Sequence, residues 1–105
     1  MQGSIAAGAS DLVMLDAMKI GGVTGWLRAA GLAAAPGLPV SSHLFPEASA
    51  HLLAASATAD WLEWQDWADP ILREPIRPVA GKATPPMRPG LGLEWDEQAV
   101  IRYAA

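Results

Sequence analysis

The chain has no cysteine, one phenylalanine, one tyrosine and only seven basic residues among its 105. Each shortage closes off a class of function. Without thiols there is no disulfide scaffold and no Cys-based metal site, and the cytoplasm is the expected compartment. The basic residues are scattered and outnumbered by 11 acidic ones, for a net charge of −4. That balance provides no electrostatic patch for nucleic acid or for an anionic membrane. Long apolar runs are missing too. The longest stretch free of Asp, Glu, Lys and Arg runs from Ala29 to Pro46, and it is interrupted by two glycines, three prolines, two serines and a histidine. It reads poorly as a membrane span. Met1-Gln2-Gly3-Ser4 lacks the basic start and apolar core of a signal peptide.

What is present is a chain that can fold. Hydrophobic residues make up 51%, well outside the range of disordered segments. Three short apolar runs stand out: Leu12-Val13-Met14-Leu15-Asp16, Pro39-Val40-Ser41-Ser42-His43 and Trp61-Leu62-Glu63. Each closes on a polar, titratable residue. Helical patterns separate them. Thr24 to Ala35 carries Trp26, Ala29, Ala30 and Ala33 at helical spacing and stops at Pro36-Gly37. A second helix begins at Pro46, suited to a first helical position, and runs to about Ala57 with Ala50, Leu53 and Ala54 on one face. Ile5-Ala6-Ala7-Gly8 reads as a helix end closed by glycine. The alternation predicts an α/β fold with parallel strands near 12–16, 39–43 and 60–64. The continuous run at 12–16 is that of a strand buried on both faces. Asp16, His43 and Glu63 would then leave one sheet at the same end, where (β/α) barrels carry their chemistry. A whole barrel takes roughly 250 residues, so three of eight βα units fit in residues 1–69.

Residues 70–105 differ in character. Pro70, Pro75, Pro78, Pro85, Pro86 and Pro89 punctuate them. Ile76–Val79 and Ala83-Thr84 could pair as a hairpin around Ala80-Gly81-Lys82. Asp96 is a suitable N-cap for a short last helix reaching Tyr103.

The residues also resemble a family. Asp16-Ala17-Met18-Lys19-Ile20-Gly21-Gly22-Val23-Thr24-Gly25-Trp26 resembles the sixth-strand motif of the mandelate racemase group of the enolase superfamily, the mandelate racemase/muconate lactonizing enzyme family. Ser41-Ser42-His43-Leu44-Phe45 resembles its seventh-strand histidine motif, and Trp61-Leu62-Glu63 its eighth-strand glutamate motif. Pro89-Gly90-Leu91-Gly92-Leu93-Glu94-Trp95 is similar to its C-terminal return segment. The resemblance implies the sixth to eighth strands of a TIM-type barrel, followed by a return segment that packs on the capping domain of a full enzyme. It implies a Mg²⁺-dependent enzyme that removes the α-proton of a carboxylate substrate: racemisation of a 2-hydroxy acid through an enediolate, or dehydration of an acid sugar. By the same resemblance His43 is the base or acid, Asp16 bonds its other ring nitrogen, and Glu63 donates to the substrate carboxylate. The family's magnesium ligands and its lysine base lie on strands outside these motifs, so this chain offers no metal ligands and binds no Mg²⁺ alone.

The residue chemistry fits those roles. An α-proton is weakly acidic, and its removal needs a base with a pKa near working pH together with oxyanion stabilisation. His43 meets the first need. Neighbouring strands lie about 4.8 Å apart, so Asp16 at equal height could fix the His43 tautomer. The blander alternative is a structural bond at a strand end. Glu63 must hold a proton to donate, which burial among Trp61, Leu62 and Trp64 would favour. Its alternative is a rim carboxylate paired with Lys19 or Arg73. Lys19 is a weaker candidate, as an anion-holding group at the same rim. His43, Glu47 and His51 have the spacing of a helical zinc site, but Pro46 disfavours helix at Phe45 and should leave His43 outside. Gly21-Gly22-Val23-Thr24-Gly25 lacks the spacing of a phosphate loop and reads as a tight turn. Trp61, Trp64 and Trp67 form a wall or a contact patch. Without the metal ligands and the lysine base the chain is expected to be inactive alone, and three strands cut from a barrel have two open edges. The chain is expected either to self-associate or to join a complementary N-terminal part that completes the barrel.

Overall fold

A computed structural model describes residues 1–104. The chain divides into two units, Met1–Trp64 and Gln65–Ala105. The first unit holds α1 (Gln2–Ala6), β1 (Val13–Leu15), α2 (Gly22–Ala34), β2 (Val40–Ser42) and α3 (Pro46–Ala54).

The glycines explain where two helices end. After α1, Gly8 adopts a left-handed conformation. The Gly8 N–H reaches the Ile5 carbonyl and the Ala9 N–H reaches that of Ser4, both at 3.0 Å. After α2, Gly37 repeats the pattern, with Leu38 bonded back to Ala33 at 2.9 Å. These crossed bonds satisfy carbonyls that a helix end leaves open.

β1 and β2 pair in parallel, Val13 with Val40, Met14 with Ser41 and Leu15 with Ser42. α2 packs on β1, α3 packs on β2, and the two helices pack on each other. The core between them comprises Leu15, Ala17, Trp26, Ala29, Ala30, Ala33, Val40, Leu52 and Leu53. Alanines dominate one face of α2 because they let the helix approach the strands closely. Trp26, fully buried, fills the remaining volume. Its indole N–H donates to Ser56 Oγ at 3.0 Å, and that hydroxyl donates to the Leu52 carbonyl at 2.7 Å. The one polar atom of the largest core side chain is thereby satisfied, as burial demands.

Three expectations for this unit's elements need correction. The α/β class and parallel pairing stand, but the segment near 60–64 is not a regular third strand. It keeps one parallel bridge, Val40 with Ala59. Its register then slips by one residue, because Ser42 N–H reaches the carbonyl of Trp61 and not that of Asp60. Two serine hydroxyls take over as acceptors: Ser41 Oγ for the Trp61 N–H at 3.3 Å and Ser42 Oγ for the Glu63 N–H at 2.9 Å. The effect is that of a bulge, which re-aims the side chains beyond it. Second, β1 is not covered on both faces. Leu15 is 2% exposed but Met14 is 55% exposed, so one face of the sheet carries apolar surface among the described residues. Third, α3 stops at Ala54, which is exposed; its buried face is Pro46, Ser49, Ala50, Leu52 and Leu53.

In the second unit a 3-10 turn spans Asp69–Ile71 and α4 spans Glu97–Tyr103. Leu72 and Trp95 form an antiparallel bridge, flanked by bonds from Arg73 N–H to Glu94 and from Asp96 N–H to Ile71. The hairpin is narrower than expected: only Val79 and Lys82 pair, around Ala80-Gly81, both with positive φ. Asp96 caps α4, accepting from Gln98 N–H at 3.0 Å and Ala99 N–H at 3.1 Å. Leu72, Ile76 and Ala99 are its buried apolar residues. Arg77 pairs with Asp69, and Arg88 with Glu74. No helix among the described residues is long and apolar enough to cross a membrane.

Candidate active site

The register of the sheet brings Asp16 and His43 together. Leu15 pairs with Ser42, so the next residue on each strand leaves at the same height. The ladder continues for one more bond, from the His43 N–H to the Leu15 carbonyl at 2.8 Å. At that point His43 Nδ1 lies 3.1 Å from Asp16 Oδ2. Asp16 is itself held by the turn after β1, where its Oδ1 accepts the Met18 N–H at 2.8 Å and the Lys19 N–H at 3.3 Å. Gly21 and Gly22, both with positive φ, then swing the chain into α2.

These contacts set the charge state of Asp16. Partial burial pushes its carboxyl upward. The bond from His43, the Met18 and Lys19 amides and the Lys19 charge more than offset that, and the carboxyl rests below its ordinary value. It is an anion at neutral pH and can only accept. His43 Nδ1 must therefore carry the proton of this bond, and in the neutral ring the basic lone pair is on Nε2. The His43 side chain is 36% exposed, against 11% for Asp16. A sheltered anion thus orients a more open imidazole.

Glu63 arrives by a different route. Its Oε2 accepts the Leu44 N–H at 2.7 Å, the residue directly after His43. That N–H is in place because Leu44 and Phe45 both adopt left-handed conformations, φ 56° and 49°. Such geometry costs an L-residue about 1–2 kcal/mol, and two in succession need external support. Ser49, fully buried on α3, supplies some of it by donating to the Leu44 carbonyl at 2.8 Å. Pro46 at the start of α3 contributes by disfavouring the right-handed helical region at Phe45.

Asp16, His43 and Glu63 are thus gathered at one end of the sheet. Lys19 lies beside them, its ammonium 3.8 Å from Asp16 Oδ2 and its side chain 81% exposed. Of the three residues expected to bury Glu63, Trp61 is instead 72% exposed, while Leu62 and Trp64 are half-buried. The bulge explains this, since it gives the Trp61 and Glu63 backbones to serine hydroxyls. His43 precedes α3, so His43, Glu47 and His51 do not share one helix. Ser42, Leu44 and Ser49 were missed by sequence reasoning. The Ser41-Ser42 pair was a usable signal, because two hydroxyls in a short strand offer acceptors to a neighbour; nothing in Leu44-Phe45 marks a left-handed turn.

The model of the enolase C-terminal domain-like family matches residues 1–99. The chain belongs to that family. Among solved structures it is similar to an enolase from alpha pretobacterium bal199 with bound magnesium (56% identity, TM-score 0.91, 97% of this chain and 28% of that one). It is also similar to an enolase from Bradyrhizobium in complex with magnesium and mandelic acid (54%, TM-score 0.87, 96% and 28%). Other solved relatives include a mandelate racemase/muconate lactonizing enzyme. Among curated proteins it is 36% identical over 95 residues to L-talarate/galactarate dehydratase of Salmonella typhimurium, covering 90% of this chain and 24% of that protein. The chain therefore spans about a quarter of the length of these relatives. Magnesium is bound in relatives of this enolase C-terminal domain-like chain. Among its own described residues, no three His, Cys, Asp or Glu side chains converge to hold a metal ion. These residues do not fit Mg²⁺ by themselves.

Proposed function

We propose that the chain carries one part of a site that moves a proton at the α-carbon of a carboxylate substrate, with racemisation of a 2-hydroxy acid as the reaction. The observation that supports this most is the His43 Nδ1 bond to an ionised Asp16. It makes Nε2 the basic atom of a partly open ring. In this reading Nε2 takes the α-proton, Asp16 steadies the imidazolium that results, and Glu63 faces the substrate carboxylate as charge builds there. Lys19 adds positive charge at the same rim. The mandelic acid held by a relative 54% identical to this chain favours a 2-hydroxy acid. Dehydration of an acid sugar is the second reading, favoured by the curated dehydratase relative. There His43 would also return a proton to the departing hydroxyl.

The chain alone is proposed to be inactive. Mg²⁺ would need ligands from outside residues 1–104, and the open apolar face beside Met14 favours association with a complementary N-terminal segment, whether in one longer protein or in a second chain. Self-association through the sheet edge is the competing outcome, and the cytoplasm is the proposed compartment. The test is exchange of the mandelate α-proton in D₂O with Mg²⁺, followed by ¹H NMR. No exchange is expected from a homogeneous sample of the chain. Exchange is expected on adding the N-terminal barrel segment of a relative, and loss of it on one stereochemical face with His43→Asn. Turnover by the chain alone refutes the need for a complement. Exchange that survives His43→Asn removes His43 from the mechanism.

A further inference from the structure

We infer that Ser49 is a positioning residue, acting through the Leu44 peptide to hold Glu63 beside His43; this rests on the functional reading above for Glu63. Three observations carry it. The Leu44 peptide is gripped at both ends, its N–H donating to Glu63 Oε2 at 2.7 Å and its carbonyl accepting from Ser49 Oγ at 2.8 Å. The residue sits in a left-handed conformation, with Phe45 following in the same region, so the turn relaxes unless something holds it. Ser49 is fully buried, on the first turns of α3, where no solvent can replace its hydroxyl.

The chain of cause runs from helix to site. α3 is fixed by Leu52 and Leu53 in the core. Ser49 transmits that fixed position to the Leu44 carbonyl. The locked peptide then aims its N–H at Glu63 Oε2, and a bond of 2.7 Å is both short and directional. Ser42 grips the other side, its hydroxyl accepting the Glu63 N–H at 2.9 Å. Glu63 is thus held at backbone and carboxylate, and its carboxylate is registered to the residue after His43.

The experiment uses the ¹⁵N-labelled 105-residue chain. In Ser49→Ala the Leu44 amide proton is expected to move upfield, and its hydrogen exchange to accelerate about tenfold as the bond to Glu63 loosens. The His43 amide, bonded to Leu15, keeps its protection. An unchanged Leu44 resonance and exchange rate in a folded Ser49→Ala chain overturns the inference. Should Ser49→Ala not fold, Glu63→Gln carries the test. With Ser49 intact it must still shift the Leu44 amide, and a Leu44 amide indifferent to Glu63→Gln overturns the inference equally. In a complemented, active preparation Ser49→Ala lowers kcat while KM stays within about twofold, because substrate contacts are kept and only the alignment is lost. Equal loss in both contradicts a positioning role. The amide readouts need no turnover. A complemented preparation that shows them but never exchanges an α-proton sinks the functional reading and leaves Ser49 as the anchor of Leu44.

Discussion

Gly25 and Gly31 lie in the same helix, and replacing each by alanine should move stability in opposite directions. Helix propensity alone predicts a gain at both, since alanine is favoured over glycine by about 1 kcal/mol in a helix interior. At Gly31 a Cβ meets nothing within 4 Å, so that gain is realised. At Gly25 the Cβ would overlap the Ile20 carbonyl oxygen and sit 2.6 Å from the Ile20 carbonyl carbon. Ordinary carbon contacts lie at about 3.5–4.0 Å and the carbonyl oxygen is nearer still, so α2 or the turn before it must move by more than about 1 Å. The obstacle is backbone, which cannot rotate aside. Trp26 is the next residue and is fully buried, so the shift propagates into the core. Overpacking of this kind costs about 1–3 kcal/mol, and overlap with backbone puts Gly25→Ala at the upper end. After the propensity gain the net loss is about 2 kcal/mol. The assay is urea unfolding followed by circular dichroism and tryptophan fluorescence. Gly31→Ala should raise the midpoint and Gly25→Ala should lower it, with unchanged slopes. A Gly25→Ala chain as stable as Gly31→Ala would refute the argument that the turn after β1 needs glycine for close approach.

Ser56→Ala should cost about 1–3 kcal/mol, because it strands the buried Trp26 indole N–H; Ser56→Ala combined with Trp26→Phe should lose less than the two changes summed, and strict additivity in unfolding experiments would count against the bond. Asp16 also predicts a pH dependence. Its folded carboxyl is held below its ordinary value, so its contribution to stability is complete above the ordinary aspartate pKa and is lost as pH falls through the lowered value. Asp16→Asn should flatten that acidic limb of the stability profile, and an identical limb in both proteins would show that the Asp16 contacts do not favour the folded anion.

The fold was legible where local chemistry and tertiary need agree. Trp26, Ala29, Ala30 and Ala33 have one helical spacing and one buried face. Asp16 and His43 were legible as neighbours because parallel pairing gives residues after paired ends equal height. Asp96 announced α4, since its side chain acts on the next residues alone. Three things were hidden. The exposure of Met14 reflects what does not cover β1, which an apolar run cannot tell. The slip beside β2 depends on Ser41 and Ser42 hydroxyls competing with carbonyls for Trp61 and Glu63. The left-handed pair Leu44-Phe45 is hidden most deeply. Pro46 excludes one conformation for Phe45, but the choice among the rest is made by Ser49 and Glu63 from other elements.

The central claim is that Asp16 fixes the tautomer of His43 and leaves Nε2 as the basic nitrogen. Two-bond ¹H–¹⁵N correlation spectra of the labelled chain, recorded where the ring is neutral, test it directly. A protonated Nδ1 and a pyridine-like Nε2 are expected, with the preference lost in Asp16→Ala. A ring protonated at Nε2, or one averaging freely between tautomers in the unaltered chain, would contradict the account.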